Sequence, residues 1–189
     1  PKIDLLNAES TFEKEPITIV CSEMGWIRAM KGHIDLSSDL KFRDGDGPKI
    51  IVHALSTDKV LILGSNGRCY TIAASSLPGG RGMGEPIRIM VEMGNNVDVV
   101  ELILFRGDGK ELLASDSGNG FVVSHKDLEA QTRNGKKIFN VGADCLSFCK
   151  SIVGDHVACV SEGSKLLIFP ISDLPELARG KGVRLQKIR

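Results

Sequence analysis

The 189-residue chain has no apolar run near the roughly 20 residues that a bilayer-spanning helix needs. It opens on Pro1-Lys2-Ile3-Asp4 with no starting Met and no secretory leader, so we read its first residue as a cut within a longer protein. Aromatic residues are scarce, with one Trp, one Tyr and seven Phe. The five cysteines (Cys21, Cys69, Cys145, Cys149, Cys159) are odd in number and scattered, which argues against a disulfide framework and for reduced cytoplasmic thiols. No net charge remains when 24 Lys/Arg are set against 24 Asp/Glu, so the chain is not a simple polycation. No segment of twelve or more residues keeps a 3.6-residue period, so long helices are not expected.

Several chemistries lack the residues they require. Gly107-Asp-Gly-Lys110 is too short for a P-loop, and Gly80-x-Gly82-x-Gly84 does not have the dinucleotide-binding spacing. Asp44-Gly-Asp46-Gly begins like a calcium loop but has Leu55 where the bidentate Glu belongs. Cys145, Cys149, His156 and Cys159 match no common zinc spacing. His33, His53 and His125 have no nucleophile or carboxylate set beside them in sequence, so no triad is proposed. We expect no metal and no cofactor in this domain.

What the chain does have is short Val/Ile/Leu-rich runs ending in Gly, Asn, Asp or Ser, the pattern of strands bounded by turns. Examples are 17–21, 50–54, 60–63, 97–105, 111–114, 121–123, 156–160 and 165–170. Stretches 74–77, 126–130 and 172–177 read as single helical turns or bends. These pieces recur in one order: a strand, a tight turn closing on Gly, a second strand, then a Gly/Arg/Lys segment. The turn glycines are read as Gly25, Gly67, Gly120 and Gly163, spaced 42, 53 and 43 residues apart. The basic segments are Gly80-Arg-Gly82, Arg133-Asn-Gly-Lys-Lys137 and Arg179-Gly-Lys-Gly182. A hairpin cannot bury its apolar face alone, so hairpins with a 40–50-residue period must stack as propeller-like blades. The expected organisation is a lead-in over 1–14 and an all-β domain over 15–189, with repeats near 15–55, 56–105, 106–150 and 151–189. Four blades with a shortened first copy predict an open ring.

Arg-Gly-x-Gly and Arg-Asn-Gly-Lys-Lys segments place cationic heads beside open backbone, which suits phosphate. Residues 126–189 carry 11 Lys/Arg against 7 Asp/Glu, so positive charge is concentrated late in the chain. Repeated at equivalent places, such loops would make a basic track for a polyanion.

Residues 15–33, Glu15-Pro-Ile-Thr-Ile-Val-Cys-Ser-Glu-Met-Gly-Trp-Ile-Arg-Ala-Met-Lys-Gly-His33, carry a specific resemblance. So do Gly80-Arg-Gly-Met-Gly-Glu-Pro86, Ala114-Ser-Asp-Ser-Gly-Asn-Gly-Phe121 and Phe169-Pro-Ile-Ser-Asp-Leu-Pro-Glu-Leu-Ala-Arg-Gly-Lys-Gly182. From Glu15 onward the chain resembles the C-terminal domains of bacterial type II DNA topoisomerases, those of the A-type subunits in their topoisomerase IV branch. The resemblance implies a β-pinwheel whose blades exchange strands. It also implies a non-catalytic domain that binds and bends duplex DNA, helping its enzyme select crossings and supercoils during decatenation and relaxation. The gyrase branch carries a basic box, Gln-Arg-Arg-Gly-Gly-Lys-Gly. Here Gly79-Gly-Arg-Gly-Met-Gly84 and Leu177-Ala-Arg-Gly-Lys-Gly182 are degenerate forms of it, which favours the topoisomerase IV branch. Relatives with a fifth blade imply that the protein continues past Arg189.

On this reading the DNA contacts are Arg28, Lys31, Arg68, Arg81, Arg133, Lys136, Lys137, Arg179 and Lys181. Tyr70 packs in a strand, and the cleaving tyrosine and ATP use belong to other parts of the enzyme. The partners are double-stranded DNA, the remainder of the A-type polypeptide and, through it, the B-type polypeptide of topoisomerase IV. The isolated domain would be a monomer, bacterial, cytoplasmic and nucleoid-associated, with no membrane. The alternative is a propeller-like protein–protein interaction module, which the neutral net charge favours.

Overall fold

The computed structural model describes residues 14–37, 39–161 and 163–185. Most of the lead-in and the final Lys187 and Arg189 therefore lie outside the described residues.

The first hairpin joins β1 (Pro16–Ser22) to β2 (Trp26–Lys31), and β3 (Pro48–Leu55) pairs on the other edge of β1. The pattern repeats with β4 (Lys59–Gly64) and β5 (Arg68–Ala73). After these come β6 (Glu85–Pro86), the single-turn helix α1 (Ile87–Met90) and β7 (Val99–Leu104). The third module has β8 (Lys110–Ser115), β9 (Asn119–Ser124), α2 (His125–Leu128), β10 (Lys136–Lys137) and β11 (Leu146–Ser151). A fourth hairpin, β12 (His156–Val160) with β13 (Leu166–Pro170), precedes β14 (Val183–Arg184).

Pairing order shows the exchange. The sheets run β3-β1-β2-β6, β10-β5-β4-β7 and β11-β8-β9-β14, while β12-β13 stands as two strands. Each four-stranded sheet thus takes one edge strand from the module that follows. The opposite edges, β3, β7 and β11, contact one another in succession and form the inner side. It follows that β6, β10 and β14 lie on the outer edge. The fold is a β-pinwheel.

Two cores hold the blades together. Between blades one and two pack Ile19, Ile27, Val60, Ile62, Tyr70 and Ile87. Between blades two and three pack Leu61, Leu63, Phe121, Val123, Ile138 and Phe139, with the Phe121 and Phe139 rings stacked at 5.2 Å. Strand β4 serves both cores, because alternate side chains leave opposite faces of a strand. That explains its uninterrupted Val60-Leu-Ile-Leu63 run, fully buried along its length.

The hairpin turns correct two repeat markers. Gly25 and Gly67 close their turns with φ of 76° and 72°, donating to Ser22 and Gly64. In the third hairpin that place belongs to Gly118 (φ 75°), not Gly120, and in the fourth to Ser164 (φ 57°), not Gly163. The two misplacements differ in cause. In the third hairpin two glycines stand two residues apart and the first takes positive φ, whereas in the fourth a Ser takes the conformation that Gly favours beside Gly163.

Gly120 has another use. It sits on β9 opposite Val183 of the incoming strand, where the backbones approach closely. Strand β11 was not expected, because Leu146-Ser-Phe-Cys-Lys-Ser151 buries only Leu146 and Cys149 and shows no alternation. The two-residue outer strands are too short for any periodicity to show.

Candidate nucleic-acid interface

Each basic segment is the strap that carries the chain from one blade to the outer edge of the preceding one. Gly84, Gly135 and Gly182 end the three straps, with φ of 87°, 70° and 76°, one residue before β6, β10 and β14. A Cβ on Gly135 would lie 2.8 Å from the Cys69 carbonyl oxygen and 2.7 Å from the Tyr70 ring. At Gly84 and Gly182 it would collide with the carbonyls of Ile27 and Gly120. These glycines are therefore explained by strand crossing, with positive φ and close backbone approach required together.

Three of the arginines expected at the surface are held by backbone carbonyls. Arg28 is buried, its Nη1 donating to Gly82 O at 2.7 Å and Nη2 to Lys41 O at 2.8 Å. Arg68 Nη1 donates to the carbonyls of Asn134 and Gly135 at 3.0 and 3.1 Å. Arg133 donates from Nε to Met90 O at 3.1 Å and from Nη2 to Ile89 O at 2.7 Å, at the C-terminal end of α1. A guanidinium presents several donors in a rigid plane, which suits it to gather the free carbonyls of a strap or a helix end. Arg28 and Arg68 thus fasten straps and Arg133 fastens α1; Arg28, being buried, is withdrawn from the expected surface track.

The other candidates are exposed. Lys136 Nζ donates to Asp127 O at 2.5 Å and retains two further donors. Lys31, Arg81, Lys137, Arg179 and Lys181 are exposed, and their side chains have no hydrogen bond or ion pair among the described residues. Lys31 and Arg81 share a groove of about 860 Å³ on blade one that also touches Glu15. The late cations are brought closer together. Gly180 N–H donates to Ile138 O at 3.0 Å, and Asn140 N–H donates to Gly180 O at 2.8 Å. The strap bearing Arg179 and Lys181 therefore runs alongside the segment just after Lys136 and Lys137.

Arg184 on β14, exposed, joins this group and was missed. Its signal was present in sequence: it follows Gly182 by two residues, as Lys137 follows Gly135. The equivalent pair on blade one is Glu85-Pro86, with Glu85 exposed. Equivalent outer edges therefore read Glu-Pro, Lys-Lys and Val-Arg.

Beneath the blade-two edge, Cys69 lies opposite Lys136. Burial pushes its thiol up to about 12, with Lys136 pulling the other way. Tyr70 is fully buried, its hydroxyl accepting from Asn66 Nδ2 at 3.0 Å. Cys149 and Glu111 are also buried, with the thiol 3.6 Å from Oε2, whereas Cys145 is exposed. Trp26 is half-buried beneath the Arg43 guanidinium, which lies 4.1 Å from its ring centre.

The family model described as DNA gyrase C-terminal domain, beta-propeller, matches residues 58–104, 112–144 and 155–189. The chain belongs to this family. It is also similar to the A-type subunits of topoisomerase IV. It is 47% identical over 178 residues to the DNA topoisomerase 4 A-type subunit of Rickettsia bellii, covering 93% of this chain and 24% of that protein. The protein of the same name from Caulobacter vibrioides is 44% identical over 190 residues, covering 100% and 25%. Among solved structures, the E. coli ParC C-terminal domain superposes with a TM-score of 0.83 at 35% identity, covering 92% of this chain and 72% of that one. The chain spans about a quarter of the length of the curated relatives it matches. No helix among the described residues is long and apolar enough to cross a membrane.

Proposed function

We propose that this chain is the non-catalytic, duplex-DNA-binding and bending domain of a topoisomerase IV A-type subunit. In that role it helps the enzyme select DNA crossings and supercoils during decatenation and relaxation. The observation that carries the reading is the joining, through Gly180, of the last strap to the 138–140 segment that follows β10, which sets Lys136, Lys137, Arg179, Lys181 and Arg184 along adjoining outer edges of blades two and three. Cations spaced along a curved edge neutralise successive phosphates without reading bases, and a duplex following the edge must bend. Strand cleavage, ATP and metal chemistry reside in this reading elsewhere in the A-type and B-type polypeptides of the enzyme. The domain itself uses no cofactor and works in the bacterial cytoplasm on the nucleoid.

Fluorescence anisotropy of a labelled duplex across a salt series tests this. Contact with about four to six phosphates gives a log K against log salt slope near −4 to −5. Absence of binding at low salt overturns the reading. A protein–protein role, the second reading, is favoured by the exposed Val160, Leu166 and Ile168 on the fourth hairpin. It predicts association that is insensitive to salt.

A further inference from the structure

On blade one a charge has been buried without an opposing charge. Arg28 is 5% exposed, and no carboxylate lies within ion-pair distance among the described residues. Two carbonyls and the Phe42 ring, 5.5 Å from the guanidinium carbon, are its partners, and its buried Nε–H has none. Carbonyl dipoles and a ring face compensate a buried cation only partly, and an unused buried donor costs its full desolvation. Arg68, the strap-fastening arginine of blade two, is less deeply buried and leaves no such donor.

Beside Arg28 lies a cavity of about 300 Å³, walled by the 39–41 loop and the 80–83 strap. Arg81, Met30, Met83 and Asp39 complete its lining. Arg81 is exposed with no partner among the described residues, and a Cβ at Gly82 would meet nothing within 4 Å. The cavity therefore has two guanidinium groups, open backbone and room for a tetrahedral oxyanion. Asp39 is the one acidic residue lining it among the described residues, and it pairs with neither arginine.

We propose that this cavity is a discrete site for a phosphate-class oxyanion, held by Arg28 from within and Arg81 from the mouth. It is separate from the outer edges of blades two and three and does not depend on them. Guanidinium forks match phosphate oxygens in geometry and charge, and an anion here supplies the counter-charge that Arg28 lacks, close enough to the enclosed Nε–H for that group to report it. The phosphate can come from a DNA backbone or from a free anion.

The Arg28 Nε–H signal in a proton–nitrogen correlation spectrum of the 189-residue chain tests this, with inorganic phosphate and then a short duplex as probes. Phosphate should move the signal saturably. Arg81→Ala should weaken that response about tenfold, the worth of one charge-assisted hydrogen bond, and Asp39→Asn should strengthen it. These surface variants stand whether or not Arg28→Lys, which assigns the signal, folds. A duplex that moves the same signal and competes with phosphate identifies the DNA backbone as the source. A duplex without effect, beside a saturable phosphate response, identifies a free anion. Lys136→Ala with Lys137→Ala should leave the phosphate response unchanged, so failure of the outer-edge reading is seen separately. A signal unmoved by both probes, or a response indifferent to Arg81 and Asp39, overturns the proposal.

Discussion

Blades one and two share an architecture and differ in charge. In both, a hairpin receives a two-residue outer strand from the next module through a positive-φ glycine, and an arginine fastens the strap by its carbonyls. Yet the outer strand is Glu85-Pro86 on blade one and Lys136-Lys137 on blade two. Backbone constraints therefore set the glycines and the strap-fastening arginines, and the outward side chains are left to vary. A duplex following the outer edge would meet cations on blades two and three and a carboxylate on blade one.

The largest expected effect comes from breaking what the blades share. Gly135→Ala adds left-handed strain and a clash with the Cys69 carbonyl, and should destabilise by about 2–4 kcal/mol. Gly142→Ala, at φ 64° in open space, should cost only about 1 kcal/mol. Urea unfolding of both variants checks the difference, and equal losses would show that crossing does not demand glycine.

Next come the differences in charge. Lys136→Ala with Lys137→Ala should weaken duplex binding about tenfold and flatten the salt slope by about 2, with stability nearly unchanged. Arg133→Ala, only four residues away, should do the reverse. Loss of its bonds to Ile89 and Met90 lowers stability by about 1–2 kcal/mol and leaves the slope within error. Anisotropy and denaturation on the same samples distinguish the two.

A smaller change should make blade one resemble blade two. Glu85→Lys is expected to tighten duplex binding a few-fold and steepen the slope by about 1. A neutral result would place the duplex away from that edge.

The smallest effect concerns the third hairpin turn. The Ser117 hydroxyl at 2.5 Å, aided by Ser115 and by backbone N–H donors, holds the Asp144 carboxyl down at about 2. A depressed folded-state pKa stabilises above the ordinary value of 3.8 and loses that contribution as pH falls towards 2. The advantage of the native chain over Asp144→Asn in thermal melts should therefore be small at pH 7. It should shrink between about pH 4 and 2.

How legible each feature was follows from what encodes it. Strands of the hairpins were readable because Val60–Leu63 and their counterparts are continuous apolar runs, and the four-module order followed from recurring turns. The exchange was not readable from pattern, since Glu85-Pro86, Lys136-Lys137 and Val183-Arg184 are too short to show a period; it came from the family resemblance. Charge alone could not separate Arg133 from Lys137, because both follow the same strap motif. Only the placement of α1, whose end carbonyls collect Arg133, divides them. Arg28 misled for a similar reason: its repeat position suggested a surface, and the 39–42 loop covers it.

The most direct test of the account is photo-crosslinking of a bound duplex from a reactive side chain placed in turn at positions 85, 137 and 184. The account predicts efficient crosslinks from 137 and 184 and few from 85. Equal yield from 85, or none from 137 and 184 while the duplex remains bound, would contradict it.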